Sequence, residues 1–413
     1  MHNNTELTYY HHGSFHLNST YWCNTYMGRQ NVDIAKSSQE EQTFMDNLLG
    51  DIDALEYLIE HNLLEQGIQR IGAEQEIHLI DKAYKPAPLV MKMLPLIKDD
   101  HYTTEHATFN AEINVDPLEF SGNCISSMEK QLKQLLNKGR KALAKLNADM
   151  IYTGILPTIS RKDLTDDNLT PLKRYHALAT MYDGMRGEPF NIHIKGTDEL
   201  ITTINSTMFE GSNTSFQAHL QIEHPKFADH YNWAQLISGP VLSACTNSPL
   251  FLGRRLWRET RIALFQQSID IRKVQETINY KIPRVFFGTD WVKSSPTEIF
   301  KEDVARHRVI LYVPIKENSM KQLEQGTIPK LEALALHNGT IYRWNRPCYG
   351  IINGLPHLRI ENRYLPAGPT LKDQMANMAF WLGLMNNVPN DIKRLTALMD
   401  FDKAKTNFIS AAQ

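Results

Sequence analysis

From Ser38 onward, Phe44, Leu48, Leu49, Ile52, Leu55, Ile59 and Leu63 recur at helical spacing, a single apolar stripe that predicts a helix closing before Gly67. Residues 68–71 lead into a strand carrying Gly72-Ala73-Glu74-Gln75-Glu76, and Lys85-Pro86-Ala87-Pro88 reads as loop. A second strand is predicted over 108–120, alternating until Pro117. From about Ser126 a helix places Met128, Leu132, Leu135, Leu136 and Leu143 on one side and lysines on the other. The lysine side reads as a solvated face rather than a nucleic-acid surface. A short apolar strand over 150–155 ends at Pro157.

The middle of the chain reads as a hairpin, with 190–195 alternating, a turn at Gly196-Thr197-Asp198, and a weaker alternation over 199–206. Residues 214–222 follow with clear period two. Ser215, Gln217, His219 and Gln221 fall on one face, and Phe216, Ala218, Leu220 and Ile222 on the other. Helices are predicted at about 226–245, 255–267 and 296–306, then strands at 339–346 and 358–365 separated by a Pro/Gly-containing connection. Helices over 371–386 and 390–411 finish the chain. This periodicity supports mixed strands and helices, and an α+β domain is expected. Residues 1–37 have little core content and are expected to form a poorly ordered extension, with His11 and His12 part of a polar tail and Met27 an alternative start. Residues 38–413 are expected to form a single domain, and the abrupt stop at Ala411-Ala412-Gln413 leaves room for it to continue.

Composition narrows the function classes. The 413 residues carry 44 basic and 46 acidic side chains, a net charge of −2, so no global field draws the chain to nucleic acid or to an anionic membrane. Cys23, Cys124, Cys245 and Cys348 are far apart and form no CxxC pair, which predicts reduced thiols in a cytosolic protein. The most apolar stretch, 236–253, is interrupted by Ser238-Gly239-Pro240 and Asn247-Ser248-Pro249, short of a membrane helix. The N-terminus lacks the apolar centre of a signal peptide. A soluble, cytoplasmic protein is expected.

The chemistry is concentrated in acidic strands. Residues i and i+2 of a strand point to one face, so Glu74 projects with Glu76, and Glu361 with Arg363. Carboxylates gathered on one face repel strongly at low dielectric, and such a face is tolerable where it binds hard cations that also bridge substrate phosphates. A metal–nucleotide site is the reading. There is no GxxxxGK[ST] loop, no GxGxxG after a strand, no GxSxG and no HExxH. Arg258 and Arg261 stand three residues apart and read equally as a clamp for an anion or as surface arginines.

Taken in order, Gly-x-Glu-x-Glu, an acidic strand ending in Glu-Phe, Gln-x-His, Asn-Ser-Pro with a downstream Arg, and Glu-x-Arg resemble the glutamate–cysteine ligase family and its carboxylate–amine ligase relatives. The resemblance covers about residues 68–390, and the stretch from His357 to Pro369 resembles an uncharacterised branch of that family. It implies a glutamine synthetase-like fold, with a curved, mainly antiparallel sheet whose concave face carries the site and helices outside. It implies Glu74, Glu76, Glu112, Glu119 and Glu361 as metal ligands, and His219 and Gln217 near the ATP phosphates. Trp344 and Arg346 would border the nucleotide, and Arg261 and Arg363 would meet substrate or the transferring phosphoryl group. The implied activity uses ATP and Mg2+, with Mn2+ as an alternative ion. A carboxylate, glutamate by family default, would be joined to an amine through an acyl phosphate, releasing ADP and phosphate. The alternatives are a non-catalytic binding or regulatory protein, and a guanidino-kinase-like phosphotransferase.

Overall fold

The computed structural model describes residues 29–272 and 282–413, so His11, His12, Cys23 and Met27 lie outside the described residues. Alternating segments build the centre. Strands β1 (Arg70–Ile80), β2 (Tyr102–Thr104), β3 (Asn110–Glu119), β4 (Asp149–Ile151), β7 (Phe216–Ile222), β8 (Asn345–Ile352) and β9 (Leu355–Asn362) form one sheet in the order β8-β9-β7-β1-β3-β2, with β4 paired to β1. Every pairing in it is antiparallel. The sheet curls into a half-barrel, giving the α+β architecture expected. The separate hairpin of β5 (Phe190–Lys195) and β6 (Glu199–Ile204) closes where the turn residues place it.

Parity divides the sheet. Ile71, Ala73, Ile77 and Leu79 of β1 share a face with Ala111, Ile113 and Val115 of β3 and with Phe216, Ala218, Leu220 and Ile222 of β7, and all are buried. This apolar face packs under helices α3 (Cys124–Ala144), α5 (Phe227–Cys245) and α8 (Leu371–Met385). At about 1.5–3 kcal/mol for each fully buried large aliphatic or aromatic side chain, this face holds the sheet to its helices. The opposite face presents the polar partners in register: Glu74 beside Asn114 and Gln217, Glu76 beside Glu112, and His219 beside Glu361, which pairs with Arg346. Helices α4 (Lys173–Arg186) and α6 (Thr260–Ser268) stand over that polar face. The remaining helices include α1 (Ser38–Glu60), α2 (Val90–Ile97), α7 (Thr297–Arg306) and α9 (Phe401–Ala412).

Several boundaries differ from the sequence expectation. The late strands are β8 and β9, a hairpin closed by Asn353 (φ 51°) and Gly354 (φ 80°), both in the left-handed region that a two-residue primed turn requires. Pro347 lies inside β8, tolerated because β8 is an edge strand and its missing N–H costs no ladder bond. The final predicted helix divides at Met399-Asp400 into Ile392–Leu398 and α9. Ahead of α1, Val32 is buried and Asp33 bridges to Tyr312, so residues 29–37 pack on the body. Ser37 caps α1 by accepting from the Glu40 amide.

Candidate active site

The polar face of the sheet opens into a cavity of about 370 Å³. Its floor is β1, β3 and β7. One wall is the face of α4 carrying Arg174, Tyr175, Leu178 and Tyr182, whose spacing of three to four residues puts them on one side. Arg261 and Phe265 of α6, Tyr342 and Trp344 continue the wall, and the 3-10 turn Thr207–Ser212 contributes Glu210 and Gly211.

Two ligand sets occupy the floor. Glu76, Glu105 and Glu112 bring carboxylate oxygens within 4.8 Å of one another, and so do Glu74, His219 and Glu361 with their own ligand atoms. Electrostatically the sets differ. In the second, Arg346 holds Glu361 through two bonds of 2.9 Å, and Arg363 also donates to it. Burial works to raise the Glu361 carboxyl, but these two arginines hold it well below the usual carboxylate range. Burial likewise opposes ionisation of Glu74, and His219, whose Nε2 lies 3.0 Å from Glu74 Oε1, outweighs it and keeps the carboxyl low. Arg359 Nε donates to His219 Nδ1 at 3.3 Å, which fixes Nε2 as the protonated nitrogen facing Glu74.

No such cation serves the first set. Among the described residues none of Glu76, Glu105 and Glu112 is ion-paired within salt-bridge distance. Burial and then the charges of Glu74 and Glu76 push Glu112 up to about 8. Burial, followed by the charges of Glu112, Glu76 and Glu210, raises Glu105 well above its ordinary value, and the protonated Glu105 carboxyl donates a hydrogen bond to Glu112. Glu76 is also raised by burial, although Arg363 and the Ser215 hydrogen bonds oppose it. Three carboxyls that cannot all ionise beside one another fit a hard divalent cation, which would replace the shared proton. The two sets are wired together: Arg363 donates to Gln217 Oε1 at 2.5 Å, and Gln217 Nε2 donates to Glu76 Oε1 at 2.9 Å.

The structure therefore gathers Glu74, Glu76, Glu112, Gln217, Arg261, Trp344, Arg346 and Arg363 around one cavity, with His219 and Glu361 in the ion-pair set beneath it. Glu119 is not among them. It sits exposed at the far end of β3 opposite Arg70, six residues of β1 from the Glu76–Glu112 pair, or about 20 Å at 3.3 Å per residue. The place expected for Glu119 is taken by Glu105. Thr103 of β2 pairs with Glu112, and Glu105, two residues on, continues that row. A three-residue strand leaves too short an alternation to read, and the sequence reading missed both Glu105 and Glu210. The clamp of Arg258 and Arg261 does not form, because α6 begins at Thr260 and Arg258 is exposed outside it. Arg261 is buried, with Nε on Glu259 Oε1 at 2.7 Å and a further N–H on the Tyr364 carbonyl at 2.7 Å. Trp344 packs edge-on against Phe265, their rings 5.9 Å apart.

The model of glutamate–cysteine ligase family 2 matches residues 70–411. The chain belongs to that family. The match includes the strands that carry both ligand sets. No curated protein matches the chain. Among solved structures, it is similar to a bifunctional glutathione synthetase from Pasteurella multocida, with 10% identity, a TM-score of 0.46, and coverage of 92% of this chain but 43% of that one. A glutamate–cysteine ligase from Francisella tularensis in complex with AMP has 10% identity, a TM-score of 0.46, and coverage of 84% of this chain and 72% of that one. The chain thus spans less than half the length of the first of these proteins. Among the described residues no helix is long and apolar enough to cross a membrane, and Cys124, Cys245 and Cys348 are free and buried.

Proposed function

We propose that this member of glutamate–cysteine ligase family 2 is an ATP-dependent carboxylate–amine ligase, joining a small carboxylic acid, glutamate by family default, to an amine with release of ADP and phosphate. The observation that carries the reading is the Glu76–Glu105–Glu112 triad, three partly buried carboxyls with no ion-paired cation of their own among the described residues, facing a cavity that arginines also line. This triad, with Glu74 and Glu361, would hold Mg2+, or Mn2+ in its place, and the ion would supply charge neutralisation for the phosphates of ATP.

The chain's own residues do the positioning. Arg363 lies between the two ligand sets, bonded to Glu361 and Gln217, and is placed to meet a phosphoryl group or a substrate carboxylate at the cavity floor. Arg261, held by Glu259 and the Tyr364 carbonyl, adds a second fixed positive charge. Arg346 keeps Glu361 ionised and oriented. Gln217 fixes the Glu76 carboxylate from one side and the Ser215 amide from another, at 2.9 and 2.6 Å. Phosphoryl transfer is mostly such positioning and charge compensation. Trp344, with Phe265, offers an aromatic flank for the nucleotide base. The buried free thiols and the absence of a candidate membrane helix among the described residues support a cytoplasmic setting.

The test is release of ADP and inorganic phosphate by purified protein given Mg-ATP, L-glutamate and a pool of amines, beside the Glu76→Gln variant. Phosphate that appears only when acid and amine are both present, and is lost in the variant, is the expected result. ADP without phosphate would favour a phosphotransferase instead. Nucleotide binding without turnover would favour a regulatory protein.

A further inference from the structure

Glu210 lines the same cavity but belongs to neither ligand set. It rides on the turn Thr207–Ser212, which Ser206 caps by accepting from the Met208 amide at 3.1 Å. Its Oε2 is buried and has no hydrogen-bond partner among the described residues. The nearest ring nitrogen, His106 Nδ1, is 3.7 Å away, while His106 Nε2 bonds the Thr207 hydroxyl at 3.0 Å. Burial pushes His106 down to about 4, so at neutral pH it brings no charge to Glu210. The other groups facing Glu210 are Glu76 from β1, Glu105 after β2, Arg363 after β9 and Tyr182 from α4.

A buried carboxyl oxygen without a donor among the described residues is suited to a hydrogen-bonding ligand, and an ammonium group is one that also compensates charge. Tyr175, Tyr182 and Tyr342 line the same part of the cavity, the last two with hydroxyls 3.2 Å apart and Tyr175 edge-on to His106 at 5.9 Å. Aromatic faces attract ammonium groups. The hydrogen bonds of Arg261, Arg346 and Arg363 go to Glu259, Glu361 and Gln217 rather than to Glu210.

We infer that Glu210 forms the subsite for the ammonium group of the acceptor, holding it and taking one proton from it before attack. The inference rests on the ligase reading above. The carboxylate of Glu210 accepts a proton from R–NH3+, leaving a free amine. Its lone pair forms the C–N bond at the carbonyl of the acyl phosphate as the carbon–oxygen bond to phosphate breaks. The second nitrogen proton leaves with the phosphate, so the products are amide, HPO4 2− and protonated Glu210, which returns its proton to solvent.

Hydroxylamine separates the roles, because it is neutral at pH 7 and attacks acyl phosphates without needing a base. The experiment compares hydroxamate formation with amide formation, using Mg-ATP, L-glutamate and either hydroxylamine or the acceptor drawn from the amine pool. In Glu210→Gln, kcat/KM for the amine is expected to fall about 100-fold or more, the lower range for a lost general base, while hydroxamate formation falls less than about threefold. Glu210→Asp should recover part of the amine reaction, and the Gln variant should gain rate with pH as the free amine accumulates. Parallel loss of both reactions, or loss of neither, overturns the inference. Wild-type protein that forms no hydroxamate overturns the ligase reading itself, and this inference with it.

Discussion

Glu112→Gln should make the metal-free protein more stable near neutral pH while removing most of its stabilisation by Mg2+. Glu112 lies opposite Glu76 in the β1–β3 register, and burial with the charges of Glu74 and Glu76 pushes its carboxyl up to about 8 from an ordinary 4.5. The folded protein therefore binds this proton more tightly than the unfolded chain does. The stability it contributes is fully present below pH 4.5 and is lost as pH rises towards 8, at up to about 1.4 kcal/mol per pH unit. At pH 7.5 that bounds the loss at about 4 kcal/mol. The proton shared with Glu105 spreads the titration over the pair, so about 1–3 kcal/mol is expected. Glutamine keeps an oxygen for the bond that Asn114 donates at 2.8 Å and carries no charge. Urea unfolding in EDTA at about pH 6 and pH 7.5 reads the effect. The wild type should lose stability between the two, and the variant should lose less. Mg2+ at 100 times its dissociation constant should return about 2.7 kcal/mol to the wild type and less than about 1 kcal/mol to the variant. A variant less stable than wild type in EDTA at pH 7.5, or one equally stabilised by Mg2+, would refute the reasoning.

Other perturbations probe separate parts of the account. Glu119→Ala should leave turnover and Mg2+ stabilisation unchanged and stability within about 0.5 kcal/mol, measured side by side with Glu105→Gln, which should abolish turnover. Arg346→Met leaves Glu361 buried with Arg363 as its remaining bonded arginine, and urea unfolding should show a loss of about 3–5 kcal/mol. Gly354→Ala puts a side chain at φ 80° in the β8–β9 turn and should cost about 1 kcal/mol or more without altering turnover.

The sheet's two faces were legible because period two survives in β1 and β7: Glu74 and Glu76, and Gln217 and His219, point as the alternation requires. The β8–β9 hairpin was legible in principle. Asn353-Gly354 is a strong turn signal, and Pro347 obscured it only because nothing in the sequence marks β8 as an edge. Glu119 illustrates a limit of motif spacing. The register shift between Ile71 and Ala73 inserts an extra residue in β3, so an odd separation still leaves Glu119 on the polar face, but at its far end. Glu105 and Glu210 lie on a segment after a three-residue strand and on a 3-10 turn, and only tertiary packing brings them to the cavity. The arginine network was half legible. Glu361 and Arg363 share a strand face by spacing, whereas the Arg346 pairing depends on the hairpin register.

The most direct measurement of the central claim follows oxygen rather than turnover. Glutamate labelled with oxygen-18 in its side-chain carboxylate is incubated with protein, Mg-ATP and the acceptor amine, and the released phosphate is analysed by mass spectrometry. Activation as an acyl phosphate predicts that oxygen-18 passes from the carboxylate into inorganic phosphate in step with amide formation. Unlabelled phosphate accompanying product, or label appearing in AMP, would contradict the account.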